Sequence, residues 1–352
     1  MNHFNKRTNE LQPYVVSSRG IEIDEDWLVL DWNESTIRIE DYLKIKLEKF
    51  INKGDLNFYG DVDCTDLKRN LHSALGISES FVTFFNGSDS ALNICFETLL
   101  EPGDKVLTIE PEYSQVSTFI HMKGGIKSSF LLTSIDKPSI DDLNRSLNGI
   151  KVFYFSNPNN PIGFYFTIDE IESMLVSNPT VMFLVDEAYF EFSNSSAVDL
   201  IPKYSNLIIF RTFSKAFGLA GIRLGYIIST NHNISMINKV RNGKEVNSVA
   251  QFCASVVLQN YETIKLRIQE LLNTRDWFFN QVRVLPNFEV FPSKTNFLLL
   301  KHNLCKEIIL VLRQNKILVR DRSSMHLLEN CFRISIGTKV EMERVLQVLK
   351  QF

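Results

Sequence analysis

The chain of 352 residues is poor in the features that mark a secreted, membrane-bound or nucleic-acid-binding protein. It has five cysteines, Cys64, Cys95, Cys253, Cys305 and Cys331, scattered and odd in number, with no CxxC pair. That argues against a disulfide framework or a zinc site and for a reducing compartment. No stretch approaches the ~18 apolar residues of a membrane helix. The opening MNHFNKRTNELQPY is too polar for a secretory signal. Charge is nearly balanced, 38 basic against 41 acidic residues for a net −3, so no basic excess favours nucleic acid or an anionic membrane. These absences leave a soluble, cytoplasmic enzyme as the expected class. What is present is a globular composition, 44% hydrophobic with 27 Phe, and length enough for two domains.

Short apolar strands alternate with segments of helical period. Strands are expected at 105–109, 151–155, 181–185, 207–210 and 223–228. Ala91, Leu92, Cys95, Phe96 and Leu99 recur at helical spacing between them, as do Ile168, Ile171 and Leu175. Such alternation implies a mainly parallel sheet covered on both faces. The C-terminal part reads as a long helix over 260–282, strands near 288–291, 297–300, 317–319 and 332–336, and helices over 306–314 and 340–349. That mixture suggests a smaller α+β domain. Residues 1–31 carry weak periodicity and are expected to pack with that domain or with a partner.

Five segments carry candidate chemistry. In Arg211-Thr-Phe-Ser-Lys-Ala-Phe-Gly-Leu-Ala-Gly-Ile-Arg223, Lys215 lies just beyond an apolar strand. A lysine leaving a strand for a low-dielectric cleft has a lowered pKa and can form a Schiff base. Thr212, Ser214 and Arg223 together would cradle an anion. An isolated Ser-Lys pair is also what an ordinary solvated loop carries. In Phe183-Leu-Val-Asp-Glu-Ala-Tyr189, Asp186 stands at the carboxyl end of a strand, where ligands bind in open parallel sheets. A pyridinium nitrogen is one partner for such a carboxylate; capping the next helix is the alternative. Tyr189 lies three positions on. Ser156-Asn-Pro-Asn-Asn160-Pro-Ile-Gly163 is a tight turn after another strand, which offers Asn160 to a ligand. Asn86-Gly-Ser88-Asp89-Ser90 opens a helix, where free N–H groups favour anions, though Ser88 and Asp89 are also good caps. Arg333 in Cys331-Phe-Arg-Ile-Ser335 alternates with apolar residues and needs an anionic partner, a substrate carboxylate or an internal acid.

Taken in order, NGSDS, PEY, NPNNPIG, VDEAY, FSKAFGLAGIRLGY and FRISIGT resemble the pyridoxal-phosphate-dependent aminotransferases of fold type I, from about Leu11 to the C-terminus. Within them the chain looks most like the histidinol-phosphate aminotransferase group, through Leu11-Gln-Pro-Tyr14, the segment around Lys215, and Val319-Arg-Asp-Arg-Ser-Ser324 followed by Leu328 to Arg333. The resemblance implies a three-layer αβα fold with a mainly parallel seven-stranded sheet, plus the smaller α+β domain. Residues 1–60 would form an N-terminal segment and part of the small domain, 61–243 the large cofactor domain, and 244–352 the linking helix and the rest of the small domain. Lys215 would form the Schiff base with pyridoxal 5'-phosphate and act as base, while Asp186 would keep the pyridine nitrogen protonated. Asn160 and Tyr189 would donate to the phenolic oxygen, and Tyr113 would stack on the ring. Ser88, Asp89, Thr212, Ser214 and Arg223 would surround the phosphate. Tyr59 matches a tyrosine that reaches the phosphate from the other subunit, so a homodimer is implied. Arg333 would hold the substrate carboxylate. Tyr14 and Arg320, with Arg322 as a further candidate, match positions that reach a substrate phosphate, and Asn33 lies in the segment covering the substrate. No metal is implied.

Departures from the group cluster near the substrate. Asp31-Trp32-Asn33-Glu34-Ser35-Thr36 replaces a common Asn-Glu-Asn-Pro, Tyr59-Gly60-Asp61 a Tyr-Pro-Asp, and Ile162 a Thr. The expected reaction is ping-pong transamination of a phosphorylated or otherwise anionic amino compound, with glutamate as donor. Two alternatives keep the same residues: decarboxylation of an amino-acid phosphate, and transamination in a surface-polysaccharide pathway. A non-catalytic regulator on this fold would carry a fused DNA-binding domain, for which the ~30 residues before the fold are too few.

Overall fold

The computed structural model describes residues 3–12 and 22–352. Strand β1 (Leu28–Val29) stands apart from the next seven, β2 (Val82–Phe85), β3 (Lys105–Glu110), β4 (Ile126–Leu131), β5 (Val152–Ser156), β6 (Met182–Asp186), β7 (Leu207–Thr212) and β8 (Gly225–Ile228). These seven form one sheet in the order β2-β8-β7-β6-β5-β3-β4. Only β8 runs against the others.

Side chains alternate across a strand, and here each parity has its own core. Phe153, Phe155, Phe183, Val185, Leu207 and Ile209 face one cluster, covered by the helices Thr65–Leu75, Ile168–Ser177 and Ser248–Gln259. Val152, Tyr154, Leu184, Ile208 and Phe210 face the other, covered by Ser88–Leu99, Gln115–Met122 and Asn231–Asn238. The result is the expected three-layer αβα arrangement.

Two elements of the sheet escaped the sequence pattern. Strand β2 is only four residues long, and β4, Ile-Lys-Ser-Ser-Phe-Leu, is a half-exposed edge strand without an apolar run. The strand expected from Arg223 begins at Gly225, because Arg223 is left-handed (φ 55°) and turns the chain before pairing starts.

The C-terminal part holds β9 (Glu289–Phe291), β10 (Phe297–Lys301), β11 (Ile317–Leu318), β12 (Arg320–Asp321) and β13 (Cys331–Ser335). An antiparallel sheet runs β12-β13-β10-β9, and β11 pairs in parallel with β1. One face, with Leu298, Leu300, Phe332 and Ile334, packs on the helices Tyr261–Val282, Cys305–Gln314 and Lys339–Leu349. The other face, with Phe297 and Leu299, joins the large sheet's core, and Arg333 lies opposite Leu299 on it. All five cysteines are free and buried.

Candidate active site

Strand parity assembles the site. Tyr154 and Leu184 are register partners on β5 and β6, and Asp186, two positions beyond Leu184, projects from the same face. On β7 the same face carries Phe210 and then Thr212. Asp186 is buried, its Oδ2 accepting from the Tyr154 hydroxyl at 2.9 Å and its Oδ1 from the Ala188 N–H at 3.1 Å. Burial pushes its pKa up to about 6, against the pull of those two donors. Asp186 is therefore no helix cap; it is a carboxylate held at the sheet's carboxyl edge.

Beside it lies a cradle of donors. The helix Ser88–Leu99 begins directly after Gly87 (φ 86°) with its first N–H groups uncovered by its own turns. Backbones approach closely here: a Cβ on Gly225 would come within 2.4 Å of the Ser88 nitrogen, and one on Gly87 within 2.8 Å of Arg223 Nη2. The Thr212 hydroxyl bonds Ser214 Oγ at 2.9 Å and accepts the Ser214 N–H at 3.0 Å. Asp89 does not leave the cradle negative, for its carboxylate lies 3.8 Å from Arg223 and accepts from the Tyr113 hydroxyl at 3.0 Å.

Lys215 is half-buried above this floor, and its Nζ donates to the Trp32 carbonyl at 2.8 Å. Burial, then the charge of Arg333, lowers its pKa to about 8, with Glu34 and Asp89 acting the other way. The segment containing Trp32 crosses the whole site. Arg333 donates to the Asp31 carbonyl at 2.9 Å and to Asn160 Oδ1 at 2.5 Å. Asn33, left-handed at φ 56°, donates from Nδ2 to the Tyr189 hydroxyl at 2.8 Å. Its own N–H and carbonyl are taken by Ser335 and Asn296. Asn160 Nδ2 lies 3.4 Å from the same tyrosine oxygen. With both lone pairs engaged, Tyr189 keeps its O–H for donation.

Arg320 lies directly opposite Arg333 in the β12–β13 ladder, so both side chains leave the same face. The Arg322 N–H continues the ladder to the Cys331 carbonyl at 3.0 Å. Its charge is also felt by Tyr189, whose pKa burial raises and Arg333 and Arg322 lower. Tyr59 stands away from these groups, 76% exposed, under the ammonium of Lys244. Tyr14 lies outside the described residues. Two contributors had no motif to announce them: the Tyr154 hydroxyl and the Trp32 carbonyl.

The chain matches aminotransferase class I and II over residues 26–349. It belongs to that family. A dihydroxyacetone phosphate transaminase of Campylobacter jejuni is 35% identical over 356 aligned residues, 99% of this chain and 96% of that protein. A histidinol-phosphate aminotransferase of Ruminiclostridium cellulolyticum is 35% identical over 325 residues, 91% of each. Among solved structures, a histidinol-phosphate aminotransferase of Sinorhizobium meliloti in complex with pyridoxal-5'-phosphate superposes with a TM-score of 0.89. The identity is 23%, and the match covers 100% of this chain and 97% of that one.

The chain is thus a pyridoxal-phosphate-dependent aminotransferase, similar to the histidinol-phosphate enzymes. The residues present fit that cofactor. A buried carboxylate suits a protonated ring nitrogen, an amine of lowered pKa suits an aldehyde, and the donor cradle beside two space-requiring glycines suits a phosphate. Among the described residues no helix is long and apolar enough to cross a membrane, and no cluster of three His, Cys, Asp or Glu could hold a metal ion.

Proposed function

We propose that this aminotransferase moves an amino group between a dicarboxylate donor, glutamate, and a small phosphorylated carbonyl compound. The observation that carries this reading is the opposition of Arg320 and Arg333 across the β12–β13 ladder. Like charges directly opposite on one face destabilise a sheet, so the pair is best explained by anions that occupy the space before it. Carboxylate and phosphate are the anions guanidinium groups bind in bidentate fashion. Relatives at 35% identity support the phosphate, since their names specify dihydroxyacetone phosphate and histidinol phosphate, both phosphate monoesters.

Each residue then has a defined task. Lys215 Nζ would hold the cofactor at its aldehyde carbon, and its lowered pKa leaves a useful unprotonated fraction near neutrality. The same Nζ would hold the substrate's α-proton. Asp186 holds a proton on the ring nitrogen, and Ser88, Thr212, Ser214 and Arg223 hold the phosphate, with Asp89 positioning Arg223. Asn160 and Tyr189 would donate to the phenolic oxygen, and Tyr113 would lie against the ring. The cofactor itself supplies the electron sink for the bond broken at the substrate's α-carbon. Arg333 orients the substrate carboxylate, Arg320 (with Arg322 beside it) the phosphate, and Asn33 closes the segment over both. Tyr14 is proposed to reach the same phosphate. A second copy of the chain is proposed to cover Phe58 and Tyr59, which are 69% and 76% exposed, and to receive Tyr59 at its own phosphate cradle.

The test is an assay of the holoenzyme with glutamate and either dihydroxyacetone phosphate or imidazole acetol phosphate, beside the dephosphorylated forms, read by 2-oxoglutarate release. Activity that needs the phosphate, and that Arg320→Ala lowers for phosphorylated substrates far more than for the others, supports the reading. Equal losses on both would remove the phosphate site from Arg320. Carbon dioxide released from an amino-acid phosphate, without any keto acid from glutamate, would replace transamination by decarboxylation.

A further inference from the structure

On the face of the sheet that carries Asp186, the neighbouring core positions are hydrocarbon: Val152 on β5, Leu184 on β6, and Ile208 and Phe210 on β7. Tyr154 is the exception. It is completely buried, and a phenylalanine would fill the same volume, so its hydroxyl needs a reason other than packing. That hydroxyl has one proton, and it goes to Asp186 Oδ2 at 2.9 Å. The Ala188 N–H fixes the other carboxylate oxygen at 3.1 Å. Two donors from two different elements thus set the plane of the carboxylate.

We infer that Tyr154 is a positioning residue for the cofactor's ring nitrogen: its hydroxyl fixes Asp186 in the orientation and charge state that keeps that nitrogen protonated. The inference rests on the proposed assignment of Asp186 to the nitrogen. The groups facing Asp186 act in both directions. Burial and the Asp89 carboxylate favour its neutral form; the Tyr154 hydroxyl, the Ala188 N–H and the Lys215 ammonium favour the ionised form, Tyr154 first among them. Tyr154 itself is held well above its ordinary pKa by burial, then by the charges of Asp186 and Glu112, with Tyr113 adding to the shift. It therefore stays a donor across the working pH range. Without it the carboxylate is a stronger base, and the proton shared with the ring moves from nitrogen towards oxygen.

The experiment uses holoenzyme reconstituted with pyridoxal phosphate carrying 15N in the ring, whose nitrogen chemical shift separates protonated from unprotonated ring. Wild type, Tyr154→Phe and Asp186→Asn are compared, with thermal midpoint as the control for folding. The expected result is a protonated ring in wild type and an unprotonated one in Asp186→Asn. In Tyr154→Phe the ratio of protonated to unprotonated ring falls by about tenfold or more, the size expected from one lost hydrogen bond to a charged group. If Tyr154→Phe keeps the wild-type shift while Asp186→Asn loses it, the role of Tyr154 is overturned and that of Asp186 stands. If Asp186→Asn leaves the ring protonated, the assignment of Asp186 itself falls, and the inference with it. Should Tyr154→Phe not fold, 3-fluorotyrosine at position 154, a more acidic and stronger donor, must raise the pH at which the 15N shift reports loss of the ring proton above the wild-type value; an unchanged or lower pH overturns the inference.

Discussion

Replacing Arg211 by methionine removes a cation from the closed side of the sheet, behind the site. Arg211 precedes Thr212 on β7, and Glu187 follows Asp186 at the end of β6, so both point away from the cofactor face. There the guanidinium donates to Glu187 Oε2 from Nε at 3.0 Å and from Nη2 at 2.9 Å, and lies 3.5 Å above the Phe190 ring. Ser196 and the Ala197 N–H complete the carboxylate at 2.8 and 2.7 Å. Both partners are essentially inaccessible, at 2% and 0% exposure. Taking away one member of such a pair leaves an uncompensated buried charge, which costs ~3–5 kcal/mol. With unfolding entropy of ~2 cal/mol/K per residue, a chain of 352 residues loses roughly 1.4 °C per kcal/mol. Calorimetry of the Arg211→Met apoenzyme should therefore show a midpoint lowered by about 4–7 °C. The double variant Arg211→Met with Glu187→Gln should recover at least half of that, because the orphaned charge is gone. Cofactor retention should fall in the single variant, since the clamp joins the strands that present Asp186 and Thr212. A single variant that loses less than about 1 kcal/mol, or a double variant no better than the single, would refute the argument.

Asp186 titrates near 6 in the folded chain, above the ordinary 3.8, so the native state keeps a proton that the unfolded chain gives up. Apoenzyme stability attributable to this group falls as pH rises from about 4 to 6 and stays low above, by on the order of 3 kcal/mol. Asp186→Asn should thus stabilise the apoenzyme at pH 7 in urea titrations, with a gain that vanishes near pH 4; a gain independent of pH would contradict the assigned shift. Asn33→Ala and Asn33→Gly both remove the bond to Tyr189 and should lower kcat together. Alanine alone also suffers the left-handed backbone, so it should melt lower than glycine by about 1 kcal/mol, and equal melting would argue against that strain.

Much of this was legible in the sequence because the chemistry sits in strand-end motifs. Asp186, Thr212 and Asn160 follow apolar runs whose termini place them at one sheet edge, and Lys215 follows within a loop too short to wander. The alternation of buried residues also contained Tyr154, since positions 152, 154 and 156 share a face with 184 and 186 once β5 and β6 pair in register. What a single strand cannot announce is that register, without which nothing separates Tyr154 from the aromatic core residues around it. Trp32 was hidden for a different reason: it contributes its backbone carbonyl, which every residue possesses. Strand β4 was missed because an edge strand with one open side needs no apolar run.

The electrostatics of the site follow from where these elements meet. Lys215 comes from the large sheet, Arg333 from the small one, and the backbone of Asp31 and Trp32 accepts from both. A carbonyl can accept from an ammonium or a guanidinium but carries no net charge of its own, so these two bonds leave the repulsion between Lys215 and Arg333 to be offset by groups such as Glu34 and Asp89. The field of Arg333 adds to burial in lowering the pKa of Lys215. A carboxylate bound at Arg333 would cancel part of that field and return Lys215 towards its ammonium form. With a pKa of about 8, Lys215 is still largely an ammonium near neutrality but has a far larger unprotonated fraction than an ordinary lysine, and a carboxylate bound at Arg333 would reduce that fraction. If Arg333 holds the substrate carboxylate as proposed, the same arginine would connect substrate binding to the protonation state of Lys215 without any change in the fold.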